Sequence, residues 1–557
     1  MIAYDPKDKG PSMLSKEGRA AFWGKLYQQF VDSAHPVIKA ATGVSREFGQ
    51  AMREEYSRLR GSAGPWLEAL EGNGLRTWWK DEATGKVEGS KSLKQALAPI
   101  KSDSDLKDLA SMMVAERMVA LAKFRPEYAR EQYEADKRYI KGLFGEAQDA
   151  QERKALTEQL AALKAAYDRQ VKGVDADRAR GILKRLEGEY GRDGMARLKE
   201  AAANYRTWSK QAILDPMLES GIMSQDRYDA IVNAPEGEWY VPFMREMEQV
   251  ERVTLGAKEV IKRLHGSERG LRIIPPVEAG ISNLQRAVRL VNQNRVNTKF
   301  VSIKDLSPDL AEAIQEVKVD PARVRPGQYV MTFENGQKRY WDMPKEFRVA
   351  LEGMEPKEAN FVWKMLETPT KWLRAGSTLT LEFMTRNPLR DQWTAFLNTK
   401  YGYIPFVDFA KGLGHVIGKT DMLAEWRAAG GDQAFFTSLD HAAKAVQAKE
   451  IMGFDGNKLM KYAKNPLEAL RLFSEFMEKG TRVGAYAKAR SKGATPQQAA
   501  HEAREITIDF SRAGTVGREL NRIIAFWNAN IQDIDKVSRT WKDRPGATTA
   551  KILLGIT

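Results

Sequence analysis

The clearest hydrophobic pattern of this chain lies between residues 466 and 541. Apolar residues recur there at mixed steps of three and four, which is the spacing of a helix with one broad buried face. The pattern restarts twice, so it predicts three amphipathic helices in series that pack into one unit. The third, from about Arg518 to Trp541, is expected to bury an apolar face that includes Ile534.

Helix-boundary residues divide this stretch. Asn465-Pro466 places a side-chain acceptor at a cap and a proline at the first helical position. Gly493 suits the left-handed conformation that ends helices. Thr495 and Gln498 have the spacing of a capping box, which predicts the start of the second helix.

Most of residues 15–213 also carries a helical period, with a coiled-coil-like seam at 151–169. Its apolar residues have four-three-four spacing and are Leu156, Leu160, Leu163 and Tyr167. The seam is shorter than three heptads, which favours an antiparallel pair within the protein over an independent dimer. Residues 72–92 predict a loop that contains Trp78-Trp79.

The only convincing β-structure is predicted at residues 316–342. Residues 328–333 form a strand, Asn335-Gly336 supplies a tight turn, and residues 338–341 return. A lone hairpin is marginal in water, so a third strand at about 317–319, or packing on helices, is expected.

The sequence therefore predicts a mainly α protein of elongated multi-helix bundles with one small β-hairpin or sheet insertion. At 557 residues the chain is longer than a single core usually allows. Five segments are expected: an N-terminal helical segment at 1–92, a long-helix region at 93–215, a connector with helices at 216–300, a small β-containing insert at 301–350 and a C-terminal helical domain at 351–557.

Composition describes a folded, basic protein. Hydrophobic residues make up 43% and charged residues 29%, and no cysteine is present, which excludes disulfides and thiolate sites. The net charge of +14 favours polyanionic partners, either nucleic acid or an anionic membrane surface, although 74 acidic residues are interspersed among 88 basic ones. The sequence has no apolar run of about 18 residues and no signal-peptide pattern at its start.

Three patterns suggest enzyme chemistry, and each fits a structural role better. Residues 414–420 lack the earlier glycine of a phosphate-binding loop, so a helix-ending loop is predicted. Glu219-Ser220 resembles the acid of lytic transglycosylases, but a capped helix follows it where a glycine-rich cleft would be needed. The five histidines lie outside metal-ligand spacing, and each is expected at the surface or at a helix end. We therefore predict no catalytic residue, no cofactor and no metal site.

The residues singled out are predicted to have structural or assembly roles. Asn387-Pro388 is predicted to cap a helix with Arg390 and Asp391 in its first turn, and a buried Arg–Asp network would fix how this helix meets the corner at 509–514. At 526–530 we expect core packing with an amide network or, alternatively, a helix-to-helix contact in an assembly. The full set is Arg386, Asn387, Arg390, Asp391, Asp509, Phe510, Arg512, Gly514, Phe526, Trp527 and Asn528.

The stretch between residues 466 and 541 resembles a known family. The segments that carry the resemblance are Thr-Arg at 481–482, Gly-Ala-Thr-Pro-Gln-Gln-Ala-Ala at 493–500, Ala-Arg-Glu at 503–505, Asp-Phe-Ser-Arg-Ala-Gly at 509–514 and Asn-Arg-Ile-Ile-Ala-Phe-Trp-Asn-Ala-Asn-Ile-Gln at 521–532, with Tyr-Val-Pro-Phe-Met-Arg at 240–245 and Thr-Arg-Asn-Pro-Leu-Arg-Asp-Gln at 385–392 upstream. They are similar to the C-terminal signature of the large polyvalent protein-associated domains, which occur in long proteins of phages and conjugative elements. No catalytic residue set comes with this resemblance.

The resemblance implies a non-enzymatic internal virion protein of a short-tailed phage. Such a protein is packaged in the capsid, released with the genome, and helps to form a DNA-translocation conduit across the host envelope and periplasm. Its expected partners are other internal virion proteins, portal or tail components, further copies in a homo-oligomer, nonspecific double-stranded DNA and the host membrane surface. Because an apolar run begins at residues 551–557, the native chain is expected to continue beyond Thr557.

Two alternatives stay open. The first is a polyvalent mobile-element protein that is injected into the host cytoplasm as a scaffold for other modules. The second is a nonspecific DNA-binding protein, whose affinity should fall steeply with salt. An enzyme in its own right lacks a residue constellation to support it.

Overall fold

The protein is mainly α-helical with a small antiparallel sheet, which confirms the predicted fold class. The structure is a computed structural model, and it describes residues 16–72, 76–80, 87–89, 91–144, 153, 156–165, 176–233, 244–245, 273–319, 324, 327–352, 381–432, 466–506, 512–517, 520 and 527–556. None of the described helices is both long and apolar enough to cross a lipid bilayer.

Four helices open the described part of the chain: α1 (Lys16–Phe30), α2 (His35–Val44), α3 (Arg46–Arg60) and α4 (Ala63–Glu71). Ser45 caps α3, because its hydroxyl accepts a hydrogen bond of 2.9 Å from the backbone N–H of Phe48. The inner face of α3 buries Met52 and Tyr56, which are 0% and 1% exposed.

The prediction of a loop at residues 72–92 is wrong. β1 (Arg76–Lys80) pairs antiparallel with β2 (Val87–Gly89). β1 holds Thr77, Trp78 and Trp79, and all three are residue types that favour strands, so the local preference for a strand prevails here.

The next helices enclose the largest hydrophobic core formed by the described residues. They are α5 (Leu93–Ala96), α6 (Asp103–Leu143), α7 (residues 156–165) and α8 (Ala176–Ser209), followed by a π-helical turn (Lys210–Leu214), α9 (Asp215–Glu219) and α10 (Gln225–Val232). Trp208 anchors this core: it is 1% exposed, and its indole N–H donates to the carbonyl of Ala69 at 2.9 Å. On α7, the leucines of the predicted seam are less exposed than their neighbours, and the antiparallel pairing stays a prediction.

Two short strands and one long helix follow: β3 (Met244–Arg245), β4 (Ile273–Ile274) and α11 (Pro276–Val301). The first half of α11 buries Ile281 and Leu284 in the core around Trp208. Its last turns bury Val296 and Phe300 in a second core, with α2, α3 and the sheet. One helix therefore contributes to both cores. The predicted domain boundaries stay predictions.

The three-stranded sheet follows a 3₁₀ turn (Ser302–Asp305) and α12 (Pro308–Ala313), and consists of β5 (Gln315–Val317), β6 (Val330–Glu334) and β7 (Gln337–Asp342). The order is β5-β7-β6, with both pairs antiparallel. Asn335 and Gly336 have φ of 47° and 77°, which suits the tight hairpin turn, so the predicted hairpin is confirmed. The third strand begins two residues before the predicted one, and the pairs β1–β2 and β3–β4 show that this β-structure is not the only one.

A row of buried amides on α11, which we call the amide seam, comprises Asn292, Gln293, Asn294 and Asn297. Its last two residues hold the open edge of this sheet. The amide of Asn294 donates to the carbonyls of Ser220 and Phe333 at 2.8 and 3.1 Å and accepts from the Phe333 N–H at 2.7 Å. Asn297 donates to the carbonyl of Met331 at 2.9 Å. Because β6 is an edge strand, its outward backbone groups would otherwise lack partners.

The remaining helices are α13 (Lys345–Glu352), α14 (Leu381–Asn398), α15 (Val407–Ile417), α16 (Asp421–Ala428), α17 (Pro466–Ser491), α18 (Pro496–Glu505), α19 (Trp527–Asp543) and α20 (Pro545–Ile556). Both hydrogen bonds of the predicted capping box between Thr495 and Gln498 are present. Gly493 has φ of 85°, as expected for the residue that ends α17.

Helices α15 and α17 cross at glycines. A Cβ on Gly412 would lie 2.0 Å from the carbonyl oxygen of Gly480, and one on Gly484 would lie 2.1 Å from that of Asp408. The two backbones are therefore in direct contact, and this crossing fixes which face of α15 points away from α17.

The predicted helix start at Asn387-Pro388 is wrong, because α14 already runs through these residues from Leu381. A proline inside a helix removes one intrahelical hydrogen bond. The later turns of α14 are tied to α17, where Gln392 donates to the hydroxyl of Thr481 at 2.8 Å.

The prediction for the buried face of α19 is also wrong. Ile534 and Trp541 are 69% and 58% exposed, whereas Asn528, Gln532 and Asp535 are 9% exposed or less. This helix therefore buries its polar side and exposes its apolar side.

Candidate functional site

Residues 512–517 contain the described part of the predicted corner, and we call them the corner from here on. They dock on the last turn of α1 through backbone groups. The N–H groups of Thr515 and Val516 donate to two α1 carbonyls at 3.1 and 2.8 Å. Carbonyls in the last turn of a helix lack partners within the helix, so the corner satisfies them. Gly514 permits this approach, since a Cβ there would lie 2.2 Å from the carbonyl oxygen of Gln29.

Arg512 lies at the centre of a buried ion-pair network. Its Nε donates at 3.0 Å to Oδ2 of Asp32, which lies in the turn between α1 and α2, 480 residues earlier. Its two terminal nitrogens lie 3.3 Å from Asp535 Oδ2 and 3.9 Å from Glu505 Oε1. On the far side of Asp32, Arg60 of α3 places Nη2 at 2.6 Å from Oδ1.

Arg539 closes the network on α19. Its Nη1 lies 2.8 Å from Glu505 Oε2, and its Nε lies 2.8 Å from Asp535 Oδ2. The hydroxyl of Tyr27 on α1 donates to the other oxygen of Asp535. We call the set formed by Tyr27, Asp32, Arg60, Glu505, Arg512, Asp535 and Arg539 the ionic junction.

Burial and pairing act in opposite directions on the pKa values of the junction. Burial alone would raise the pKa of Asp32, but Arg60 and Arg512 outweigh it and hold this pKa below its usual range. For Glu505, burial is likewise outweighed by Arg539 and Arg512, and the pKa is held well below its usual range. Burial would lower the pKa of Arg512, but its carboxylate partners raise it well above the ordinary value. These groups are therefore charged at neutral pH.

Two further groups, the buried Lys536 and the half-buried Asp391, have pKa values that nearby opposite charges restore less completely. Burial lowers the pKa of Lys536 to about 7, although Glu505 acts in the opposite direction. Burial, together with the carboxylate of Glu478, raises the pKa of Asp391 to about 7. Both groups therefore titrate near neutral pH.

The junction is suited to holding shape. Each of its carboxylates contacts two arginines, so none is available as a general base toward a substrate. Buried ion pairs of this kind fix geometry while adding little net stability, because their desolvation offsets their attraction. In the described residues, no group of three or more His, Asp or Glu side chains could hold a metal ion.

The predicted burial of Arg390 is wrong. Arg390 is 55% exposed and lies 3.5 Å from Asp533 on α19. Asp391 is shielded, but the charges that act on it come from Glu478, Arg482 and Lys536 as well as Arg390. Within the described part of the corner, Arg512 finds a partner in Asp32, in the turn between α1 and α2.

The other predicted residues divide into three groups. Arg512 and Gly514 form the corner contact. Trp527 lies against Phe30, with ring centroids 6.5 Å apart. Asn528 is 3% exposed, and its side-chain oxygen accepts a hydrogen bond from Gln532. Arg386 and Asn387 lie within α14, and the predictions for their side chains fall outside the described residues. Asp509, Phe510 and Phe526 also lie outside the described residues.

The prediction that every histidine lies at the surface or at a helix end is wrong for His501. It is 8% exposed and lies on α18, a helix that packs against α3. Burial lowers its pKa to about 4, opposed by Glu505, while Lys400, Arg53 and Arg539 lower it further. Its Nδ1 has no hydrogen-bond partner within the described part of the chain.

The two loops weighed for enzyme chemistry are helix ends, as predicted. In the first, α15 ends at Ile417, Lys419 has φ of 46°, and the His415 Nδ1 lies 2.9 Å from the hydroxyl oxygen of Thr420. In the second, α9 ends at Glu219 and Ser224 caps α10.

Sequence reasoning missed the residues of the junction outside the corner: Tyr27, Asp32, Arg60, Glu505, Asp535 and Arg539. One local signal was present. Gln532, Asp535 and Arg539 recur at helical spacing on one side of α19, but such a polar row is usually a solvated face.

Comparison of the chain with protein-family models, with curated proteins and with solved structures finds no match in any of the three.

Proposed function

We propose that this chain is a non-enzymatic internal virion protein of a short-tailed phage. It is packaged in the capsid, leaves with the genome, and assembles with copies of itself and with other internal virion proteins into a conduit for DNA across the host envelope. Portal or tail components and double-stranded DNA are its further partners.

The ionic junction carries this proposal. Arg512, from the stretch that resembles the polyvalent-protein signature, contacts carboxylates from three other segments: Asp32, Glu505 and Asp535. Arg512 of this stretch thus binds carboxylates both inside and outside the family-like segments, and these ion pairs fix how distant helices meet. This arrangement suits an architectural protein better than an enzyme.

The junction also suits a protein that must leave a capsid. It joins α1 to the corner and α19 by ion pairs and backbone hydrogen bonds, so these elements can separate while each helix keeps its own hydrogen bonds. The cost of separation is limited, because solvation of the freed charges repays part of the lost attraction.

The test is quantitative mass spectrometry of purified particles from the native source, before and after genome release. We expect peptides of this chain in full particles and their loss from emptied ones. Absence from full particles would refute the proposal, and recovery from recipient cytosol outside any envelope complex would favour the injected scaffold.

A further inference from the structure

The outward face of α15 and the turn before it are apolar and exposed. The exposed large apolar side chains there are Ile404, Phe406, Val407 and Ile417, at 49%, 53%, 50% and 69%. The opposite face of α15 is committed to α17 through the crossing at Gly412. Because solvent-facing helix positions are normally polar, an apolar outer face of this kind marks a contact surface.

The turn that presents Phe406 is strained. Phe406 has φ of 61° and ψ of −39°, and the Val407 N–H donates to the carbonyl of Pro405 at 2.7 Å, so the chain forms a γ-turn around an aromatic residue. Positive φ is a genuine outlier for a bulky side chain. Such strain persists where the surroundings impose it, and it clusters at functional sites.

Neighbouring side chains impose this conformation. The carbonyl oxygen of the Gln392 side chain accepts from the Phe406 N–H at 3.3 Å and from the Tyr403 hydroxyl at 2.7 Å. The carboxylate of Asp408 accepts from the Ile404 N–H at 2.8 Å. The apolar side chains are therefore held in place before any partner arrives, which lowers the entropy cost of binding.

The charges beside this surface are mostly positive. Between residues 399 and 421 the exposed charged side chains are Lys400, Lys411, Lys419 and Asp421, whereas Asp408 is 2% exposed. An apolar face with aromatic and aliphatic side chains and a rim of lysines fits the headgroup region of an anionic bilayer. The exposed apolar side of α19 fits less well, since the partly exposed Asp533 and the exposed Asp543 flank it together with Lys542.

We propose that the γ-turn at Phe406 and the outer face of α15 form a peripheral docking site for an anionic lipid surface. The site deepens the proposed function, because it names the part of the chain that would meet the host membrane. It is tested on the purified full chain with vesicles, so its outcome is separate from whether the chain is found in virions.

The first experiment measures co-sedimentation of the full chain with vesicles of phosphatidylcholine alone and of phosphatidylcholine with phosphatidylglycerol. We expect binding to the anionic vesicles and at least a tenfold weaker partition to the neutral ones, because the lysine rim adds attraction only to the former. No binding to anionic vesicles, or equal binding to both, would overturn the proposal.

The second experiment compares two isoleucines with the same exposure of 69%, Ile417 and Ile534. Ile417→Ser should lower the partition coefficient about tenfold, while Ile534→Ser on α19 should leave it unchanged. Similarly, Lys411→Gln should weaken binding, whereas Lys107→Gln should not; their side chains are 66% and 71% exposed. Equal effects within either pair would contradict the assignment.

Phe406→Gly separates docking from packing. Glycine accepts positive φ without strain, so the variant should unfold at the same or a higher temperature while binding anionic vesicles less. A lower Tm with unchanged binding would identify Phe406 as a packing residue and refute the proposal. If the variants instead lose self-association in analytical ultracentrifugation and keep vesicle binding, the face is a protein interface and the lipid assignment fails.

Discussion

The amide seam and the ionic junction are both buried and polar, yet they join helices in different ways. The seam uses neutral groups: Asn294 and Asn297 of α11 bond to backbone groups of β6. The junction uses charges, and Arg512 needs carboxylates from three other segments. A neutral amide satisfies a local backbone edge whatever the pH, whereas each buried charge depends on partners that remain ionised.

The largest expected effect is the removal of Arg512. Arg512→Ala removes one positive partner from each of the buried carboxylates of Asp32, Glu505 and Asp535. The free energy of unfolding should therefore fall by about 3–5 kcal/mol. Urea unfolding at pH 7, followed by tryptophan fluorescence, measures this. Arg512→Lys keeps the charge but not the planar fork, so its loss should be smaller. A loss below about 1 kcal/mol for the alanine variant would show that the junction does not hold the fold together.

The seam should respond almost as strongly. Asn294→Leu removes three hydrogen bonds and leaves partly buried backbone groups of Phe333 and Ser220 without this partner, so we expect a loss of about 2–4 kcal/mol. The same unfolding measurement applies, with the exposed Asn530→Leu on α19 as control. The loss should be equal at pH 5 and pH 8, because no ionisable group takes part. A loss that changes between these pH values would break the contrast with the junction.

His501 adds a pH-dependent contribution to stability, which distinguishes the charged region around the junction from the neutral amide seam. Its folded pKa of about 4 lies below the ordinary 6.5, so between these values the unfolded chain binds a proton that the folded chain does not. The contribution of His501 to the free energy of unfolding should therefore fall by on the order of 2 kcal/mol as the pH drops from 6.5 to 4. His501→Gln should remove this slope, and Asn294→Leu should retain it.

The difference between the wild type and His501→Gln isolates this group. Asp391, with its raised pKa, acts in the opposite direction as the pH falls, but it is present in both proteins and cancels. Asp32 and Glu505 have lowered folded pKa values, so the stability they contribute is present at neutral pH and is lost as the pH falls below about 4, again in both proteins. A wild type and variant with parallel pH profiles between 4 and 6.5 would contradict the burial of His501.

The smallest effect is expected at Arg390. Its pair with Asp533 is 3.5 Å long, and the two side chains are 55% and 45% exposed. Exposed pairs contribute about 0–1 kcal/mol, so Arg390→Ala should change the free energy of unfolding in urea very little. The small loss should be greater at low salt than at high salt, because salt screens the pair. A loss comparable to that of Arg512→Ala would mean that the surface pair and the junction act as one network.

Local features of the sequence predicted local features of the structure. The capping box at Thr495 and Gln498, the end of α17 near Gly493 and the hairpin turn at Asn335-Gly336 are all confirmed. Each depends on hydrogen bonds and φ values within a few residues, so the residue types themselves are sufficient. The helical fold class follows from the same kind of signal, repeated along the chain.

The candidate site could be predicted only in part. Arg512, Gly514 and Asn528 were singled out from the sequence, but their partners Asp32, Gln29 and Gln532 were not. No local pattern links Asp32 to Arg512, because 480 residues separate them and the pair forms only when α1 meets the corner. The burial of His501 has the same origin, since α3 covers it from a distant part of the chain.

Helix α19 shows most clearly what its own sequence determines and what the tertiary structure decides. Its sequence determined that it is a helix with one apolar and one polar side. Only the tertiary structure decided that the polar side is inside, because Asp535 and Arg539 bind Arg512 and Glu505 there and Gln532 donates to the carbonyl of Val31. Periodicity records which side chains share a face, but the orientation of that face depends on charges and carbonyls contributed by segments far away in sequence.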